Sequence, residues 1–210
     1  MQPIEMIKDG LAAVTSVLSA GQDDNEPKNP IALLTSQHRE AEALFAEILG
    51  ASERAYKQKE KALGTLIEKL VLHTELEEKL FYPSAKAVAT DFVLESFEEH
   101  GVVKILLRKL IGADARDESF KARVTVLEEI IHHHVREEEA ELFPQCKAKI
   151  SDEVLDDIGA KMQAYIAAQE ARGQKAAPPR RQPALKAAAK RAKKAPAKKA
   201  AAVRGKRTRH

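Results

Sequence analysis

Four stretches of this chain place apolar residues at spacings of three and four, the period of a helix. In each of them a histidine interrupts the apolar stripe. Leu34, His38, Ala41 and Phe45 share one face of the first, and Leu63, Leu66, Leu70, His73, Glu77 and Leu80 share one face of the second. Val93, Phe97, His100, Lys104, Leu107 and Ile111 form the third stripe, and Phe120, Val124, Leu127, Ile131, His134, Glu138 and Leu142 the fourth. At about 100° per residue, His132 and His133 fall roughly 120–140° from the centre of that last stripe and are expected to face out or to sit at a helix boundary. Four amphipathic helices with short connections bury their stripes most simply as an all-α, antiparallel up-down-up-down four-helix bundle.

Helix signals bound these stretches. Asn29-Pro30 supplies an N-cap and a first-turn proline, and Gly50 a stop. The second helix is expected from about Glu53 to Phe81, ending before Pro83. The third runs from near Asp91 to near Gly112, and the fourth from after Asp117 to before Pro144. Ser151 caps a shorter C-terminal helix to about Glu170. Upstream, Ile4, Ile7, Leu11, Val14 and Leu18 mark an extra N-terminal amphipathic helix over residues 1–20, joined by a linker over 21–29 to a domain over 30–170. Residues 171–210 mix Pro178, Pro179, Pro183 and Pro196 with Ala, Lys and Arg, and are expected to be a disordered tail.

Residue usage narrows the setting. One cysteine, Cys146, permits no disulfide within the chain, so a reducing, cytoplasmic and bacterial setting is expected. Met1 to Ala20 contains Glu5, Lys8 and Asp9 and lacks a signal-peptide pattern, and no apolar run of about 18 residues points to a membrane.

The inward residues carry the chemistry. His38, His73, Glu77, His100, His134 and Glu138 all fall on stripes that should be apolar. Carboxylates in an apolar core are costly unless paired or metal-bound. Imidazole and carboxylate without thiolate suit iron, manganese or zinc. The second and fourth helices also repeat a pattern: His73-x-x-x-Glu77-Glu78 leads to Leu80-Phe-Tyr-Pro83, and His134-x-x-x-Glu138-Glu139 to Leu142-Phe-Pro144. Two matched halves, each giving a terminal imidazole and a bridging carboxylate, describe a dinuclear centre.

With Gln37-His38-Arg39-Glu40 and Glu99-His100 added, these motifs resemble the hemerythrin HHE cation-binding family from about Pro30 to Lys161. The resemblance implies a di-iron centre with two irons per chain, His38, His73, His100 and His134 as terminal ligands and Glu77 and Glu138 as bridges. It implies binding of dioxygen, peroxide or nitric oxide, or iron sensing. The oxygen-carrying members have a further histidine where this chain has Lys104, which leaves a position to water or to a carboxylate such as Glu75 or Glu99. Tyr82 is expected to pack at a helix end, and Cys146 to be a spectator thiol. Tyr56 is a further candidate donor.

The charge is split along the chain. Of 35 Lys and Arg residues, 15 lie in residues 172–210, which contain no Asp or Glu; the remainder holds 20 against 32 acidic residues, a net of −12. The tail resembles the Lys/Ala/Pro tails of linker histones and bacterial histone-like proteins. It suits non-specific nucleic acid, with a nucleoid location, because flexible cations neutralise phosphates without reading bases. Three functions follow: an iron-dependent sensor held on DNA, an architectural DNA-binding protein with the bundle as scaffold, or a di-iron peroxidase or nitric-oxide-consuming enzyme. The tail hypothesis predicts sequence-insensitive DNA binding with a log–log salt slope of roughly −6 to −7 if about half the charges engage. Truncation after Glu170 should abolish it in a fluorescence-anisotropy titration.

Overall fold

Asn29 opens the first helix by local chemistry. Its Oδ1 accepts hydrogen bonds from the backbone N–H groups of Ile31 at 2.9 Å and Ala32 at 3.4 Å. Pro30 occupies the first turn, where its missing N–H costs nothing. The computed structural model describes residues 29–176. Within them, α1 spans Pro30–Gly50, α2 Tyr56–Leu76, α3 Tyr82–Ala85, α4 Thr90–Leu110, α5 Phe120–Glu137, α6 Phe143–Lys149 and α7 Asp152–Ala176. Two π-helical turns, π1 at Glu77–Phe81 and π2 at Glu138–Leu142, join α2 to α3 and α5 to α6. The described residues contain no strand. The expected N-terminal helix, linker residues 21–28 and the tail beyond Ala176 lie outside the described residues.

The four long rods are α1, α2–π1–α3, α4 and α5–π2–α6, and they alternate in direction. Glu40 meets Lys69 and Glu47 accepts from Gln58, so α1 and α2 run antiparallel. Glu78 meets Lys104 while Glu60 reaches the backbone of Ala115, so α2–π1 opposes α4. The up-down-up-down bundle is therefore present, with α7 packed against its α1 and α2 side.

Two apolar clusters fill it. One gathers Phe45, Ile48, Leu66, Leu70, Leu107, Leu127 and their neighbours. The other gathers Leu34, Leu76, Phe81, Tyr82, Leu142, Cys146, Leu155 and Met162, and includes the inner face of α7. Between them in sequence, on all four rods, lies a buried polar layer containing His38, His73, Glu77, His100, His134 and Glu138.

Three expectations are corrected. The second and fourth rods do not end before Pro83 and Pro144. A proline ring inside an α-helix collides with the carbonyl four residues back. Here the turn ahead of each proline widens, with the Tyr82 N–H donating to the Glu77 carbonyl and the Phe143 N–H to the Glu138 carbonyl, and the rods continue. On α4 the inner face is Val93, Ser96, His100, Val103, Leu107 and Leu110, whereas Phe97 and Ile111 are each 38% exposed and Lys104 is half-buried. That helix is apolar on two sides, so periodicity alone chose the wrong neighbours of His100. Finally, α7 continues to Ala176 rather than stopping at Glu170, through residues that are mostly good helix formers.

The connection after α4 turns at Gly112, whose φ of +70° is the left-handed conformation that favours glycine. Among the described residues no helix is long and apolar enough to cross a membrane.

Phe45 is fully buried at 0% exposure, whereas Val126 is 44% exposed. Phe45→Ala should cost about 3–5 kcal/mol in chemical denaturation, from lost burial plus the cavity left behind. Val126→Ala should stay within about 0.5 kcal/mol.

Candidate metal centre

Each inward histidine arrives on a helix held by its apolar neighbours. His38 sits on α1 between Leu34 and Ala41, His73 on α2 after Leu70, His100 on α4 before Val103, and His134 on α5 after Ile131. The two carboxylates occupy the first positions of π1 and π2. All six side chains are buried, Glu77 and Glu138 completely. His132 and His133 are exposed on the outside of α5.

The two nitrogens of each imidazole have different roles. Every Nδ1–H donates outward over an ordinary hydrogen-bond distance. His38 donates to Glu139 at 2.8 Å, His73 to Gln37 at 2.9 Å, His100 to Glu78 at 2.9 Å and His134 to Glu99 at 2.7 Å. A carboxylate or an amide oxygen only accepts, so these bonds place the hydrogen on Nδ1 and leave Nε2 facing inward, with a free lone pair when the ring is neutral. The four bonds also form a closed ring. Gln37 of α1 holds a ring of α2, Glu78 of π1 holds one of α4, Glu99 of α4 holds one of α5, and Glu139 of π2 holds one of α1.

Inside that ring the spacings are longer. The Nε2 atoms of His38 and His73 are 3.2 Å apart, and those of His100 and His134 3.1 Å. Glu77 Oε2 lies 3.2 Å from His73 Nε2 and 3.3 Å from His100 Nε2. Glu138 Oε2 lies 3.4 Å from His38 Nε2 and 3.6 Å from His134 Nε2. Each carboxylate thus touches both histidine pairs. Metal bonds of ~2.0–2.2 Å to N and O set ligand atoms on one ion roughly 3.0–3.5 Å apart, which matches these separations. His38, His73, Glu77 and Glu138 converge as one potential donor group, and Glu77, His100 and His134 as another.

Charge tells the same story. Both oxygens of Glu77 and Oε2 of Glu138 are buried without a hydrogen-bond partner. Burial, reinforced by the charge of Glu138, pushes Glu77 well above the usual carboxylate range. Burial opposes ionisation of Glu138 too, but the charges of His134 and His38 hold it low, at about 2. His38 and His134 are raised because the carboxylates outweigh the burial that would lower them. His73 is driven well below its ordinary value by burial and then by the charge of His38. Two carboxylates and four imidazoles in one dry pocket fit a cation better than they fit one another.

Several residues play parts that the stripes did not assign. Gln37, Glu78, Glu99 and Glu139 each lie one position from an inward residue, and that adjacency was the available signal. Tyr82 does more than pack a helix end: fully buried, it donates its phenol to Glu138 Oε1 at 2.9 Å and stacks on His100 at 5.6 Å. Burial and then the charge of Glu77 raise its pKa well above the ordinary phenol value. Both carboxylates considered for the Lys104 position have partners of their own. Glu99 holds His134 Nδ1, and Glu75 contacts Tyr165 at 2.9 Å and Lys79 at 3.2 Å. Lys104 itself pairs with Glu78. Cys146 is buried in the apolar cluster, with its thiol pushed up to about 11 by that burial.

A family model described as Hemerythrin HHE cation binding domain matches residues 29–146. The crystal structure of a hemerythrin HHE cation binding domain-containing protein from Mycobacterium kansasii superposes with a TM-score of 0.61 and 23% identity, covering 69% of this chain and 88% of that one; it speaks for the fold. A DNA nickase from a Nostoc species is 27% identical over 152 residues, which are 70% of this chain and 42% of the relative. The chain thus spans less than half the length of that relative. More than half of this chain falls under the family model, and its fold and inward His/Glu layer agree with it: the chain belongs to the hemerythrin HHE cation-binding domain family and is a metal-binding, hemerythrin-like protein.

Proposed function

We propose that the buried layer holds two irons. His38, His73, His100 and His134 would hold them through their imidazoles, with Glu77 and Glu138 as the carboxylates shared by the two histidine pairs. We further propose that this centre senses or handles dioxygen, peroxide, nitric oxide or iron. The observation that carries the reading is the division of each imidazole: Nδ1 is fixed outward at 2.7–2.9 Å, and Nε2 faces its neighbours at 3.1–3.6 Å. Two irons in that position supply redox chemistry and a place for a small ligand. The protein's own residues do the rest. Gln37, Glu78, Glu99 and Glu139 orient the rings, and the two apolar clusters limit water. Tyr82 donates a hydrogen bond to Glu138 Oε1, and burial keeps the proton on the phenol.

The same reading places the protein on DNA through residues 172–210. The 15 cations of that segment support it, and so does similarity to a relative whose name, DNA nickase, refers to DNA. Strand cleavage at the centre is a poorer reading. Glu77 and Glu138 have 0% exposure, which suits diatomic ligands and peroxide rather than a duplex.

Protein purified without added metal should contain about two irons per chain by elemental analysis, as expected of paired His/Glu motifs on bundle helices. The Glu77→Ala, Glu138→Ala double variant should lose them, and full iron content in it would sink the assignment. His134→Ala should lose metal while His132→Ala retains it. Glu139→Ala, which frees the outer nitrogen of His38 and the exposed Arg39 guanidinium but touches no inward donor atom, should weaken metal affinity by about 10–100-fold in a chelator competition. Metal removal should lower the melting temperature, since a ligand held at ~100 times its Kd stabilises the folded state by about 2.7 kcal/mol.

A further inference from the structure

Helix α4 has a second apolar face. Its inner side carries His100 and the core residues, while Leu94 at 48%, Phe97 at 38%, Val102 at 46% and Ile105 at 49% exposure lie on the outside. Such residues scattered singly are ordinary on a protein surface. Four of them along about three turns of one helix make a patch, and patches mark contact surfaces.

Gly101 stands in the middle of that stripe and is exposed. Glycine is the poorest residue for a helix interior apart from proline. Nothing inside the fold requires it: a methyl group there would meet no atom within 4 Å beyond its chain neighbours and the backbone of its own helix, and its φ is not positive. A glycine at the centre of an exposed apolar stripe is, however, what a close helix crossing needs, because it lets another backbone approach.

The charges around the stripe say which way the partner runs. The exposed acids Asp91 and Glu95, with Glu98, precede Gly101, and the exposed bases Arg108 and Lys109 follow it. A second α4 laid parallel would set acid against acid. Laid antiparallel across a twofold axis at Gly101, it sets Lys109 of each copy level with Asp91 and Glu95 of the other, and Phe97 level with Ile105. We propose that the outer face of α4 is the contact surface of a homodimer, in which a second copy of this chain crosses antiparallel at Gly101. The contact is isologous, so one patch serves both copies and the assembly closes at two. A single helix crossing lies at the small end of specific interfaces, so the dimer is reversible and concentration-dependent. It also lies against the wall of the metal centre, since Phe97 packs on Tyr82 at 5.4 Å and Tyr82 donates to Glu138.

Sedimentation velocity on the full chain over a hundredfold concentration range tests this. The wild type should shift from one chain to two. Ile105→Glu should sediment as one chain throughout. Gly101→Leu should do the same with an unchanged or higher melting temperature, because leucine favours the helix but blocks the crossing; a merely structural glycine would not separate those readouts. Glu95→Lys should weaken the dimer, and adding Lys109→Glu should restore it. A wild type that stays a single chain throughout overturns the proposal, including the case in which Ile105→Glu only lowers stability because another segment of the same chain covers the stripe. A dimer that survives both Ile105→Glu and Gly101→Leu overturns it as well.

Discussion

Two carboxylates with no contact with water need positive charge between or beside them, and this bundle is arranged around that need. Glu77 and Glu138 are fully buried, and each faces one histidine from either pair. Left to themselves they divide unequally, with Glu77 pushed towards its neutral form and Glu138 held charged by His134 and His38. Apolar packing supplies the cohesion on both sides of this layer. The layer sets the register, because each rod must deliver its histidine at the same height.

The ring of outer hydrogen bonds explains why the rods stay there. Gln37, Glu78, Glu99 and Glu139 each grip an imidazole from the next helix around the bundle, so every long helix both holds and is held. Arg39 pairs with Glu139 and Lys104 with Glu78, which balances charge on two of the four acceptors. The widened turns at Glu77–Phe81 and Glu138–Leu142 belong to the same scheme. π-turns inside α-helices are uncommon and often accompany functional sites. Here each starts at an inward carboxylate and lets the chain pass a proline without breaking the rod.

Much of this was legible in the sequence, and for identifiable reasons. On the second and fourth rods His73, Glu77, His134 and Glu138 interrupt otherwise apolar stripes, and the stripes are unambiguous because the opposite faces are polar. On α4 that contrast fails: Leu94, Phe97, Val102 and Ile105 make the outside apolar too, so His100 was identified but Phe97, Lys104 and Ile111 were given the wrong side. Pro83 and Pro144 suggested helix ends, because local chemistry does not reveal a turn that widens under tertiary packing. The outer acceptors were hidden for another reason. Each lies next to an inward residue in sequence yet serves a histidine on a different helix, a pairing that only the assembled bundle defines. The phenol of Tyr82 on Glu138 was hidden in the same way.

The repeated halves are not identical, and the differences fall on the centre. Gln37, His38, His73, Glu77, Glu78 and Tyr82 correspond in order to Glu99, His100, His134, Glu138, Glu139 and Phe143. Two substitutions break the symmetry. An amide backs His73 where a carboxylate backs His134, and a phenol stands on His100 where a plain phenyl ring stacks on His38 at 5.9 Å. The His100–His134 side therefore has two anionic acceptors behind its rings, and the His38–His73 side has one. Cations prefer the more electron-rich imidazoles, so on the dinuclear reading proposed above the two positions would differ in affinity and fill in sequence rather than together. A centre that looks like a duplicated motif is, electrostatically, a polarised one.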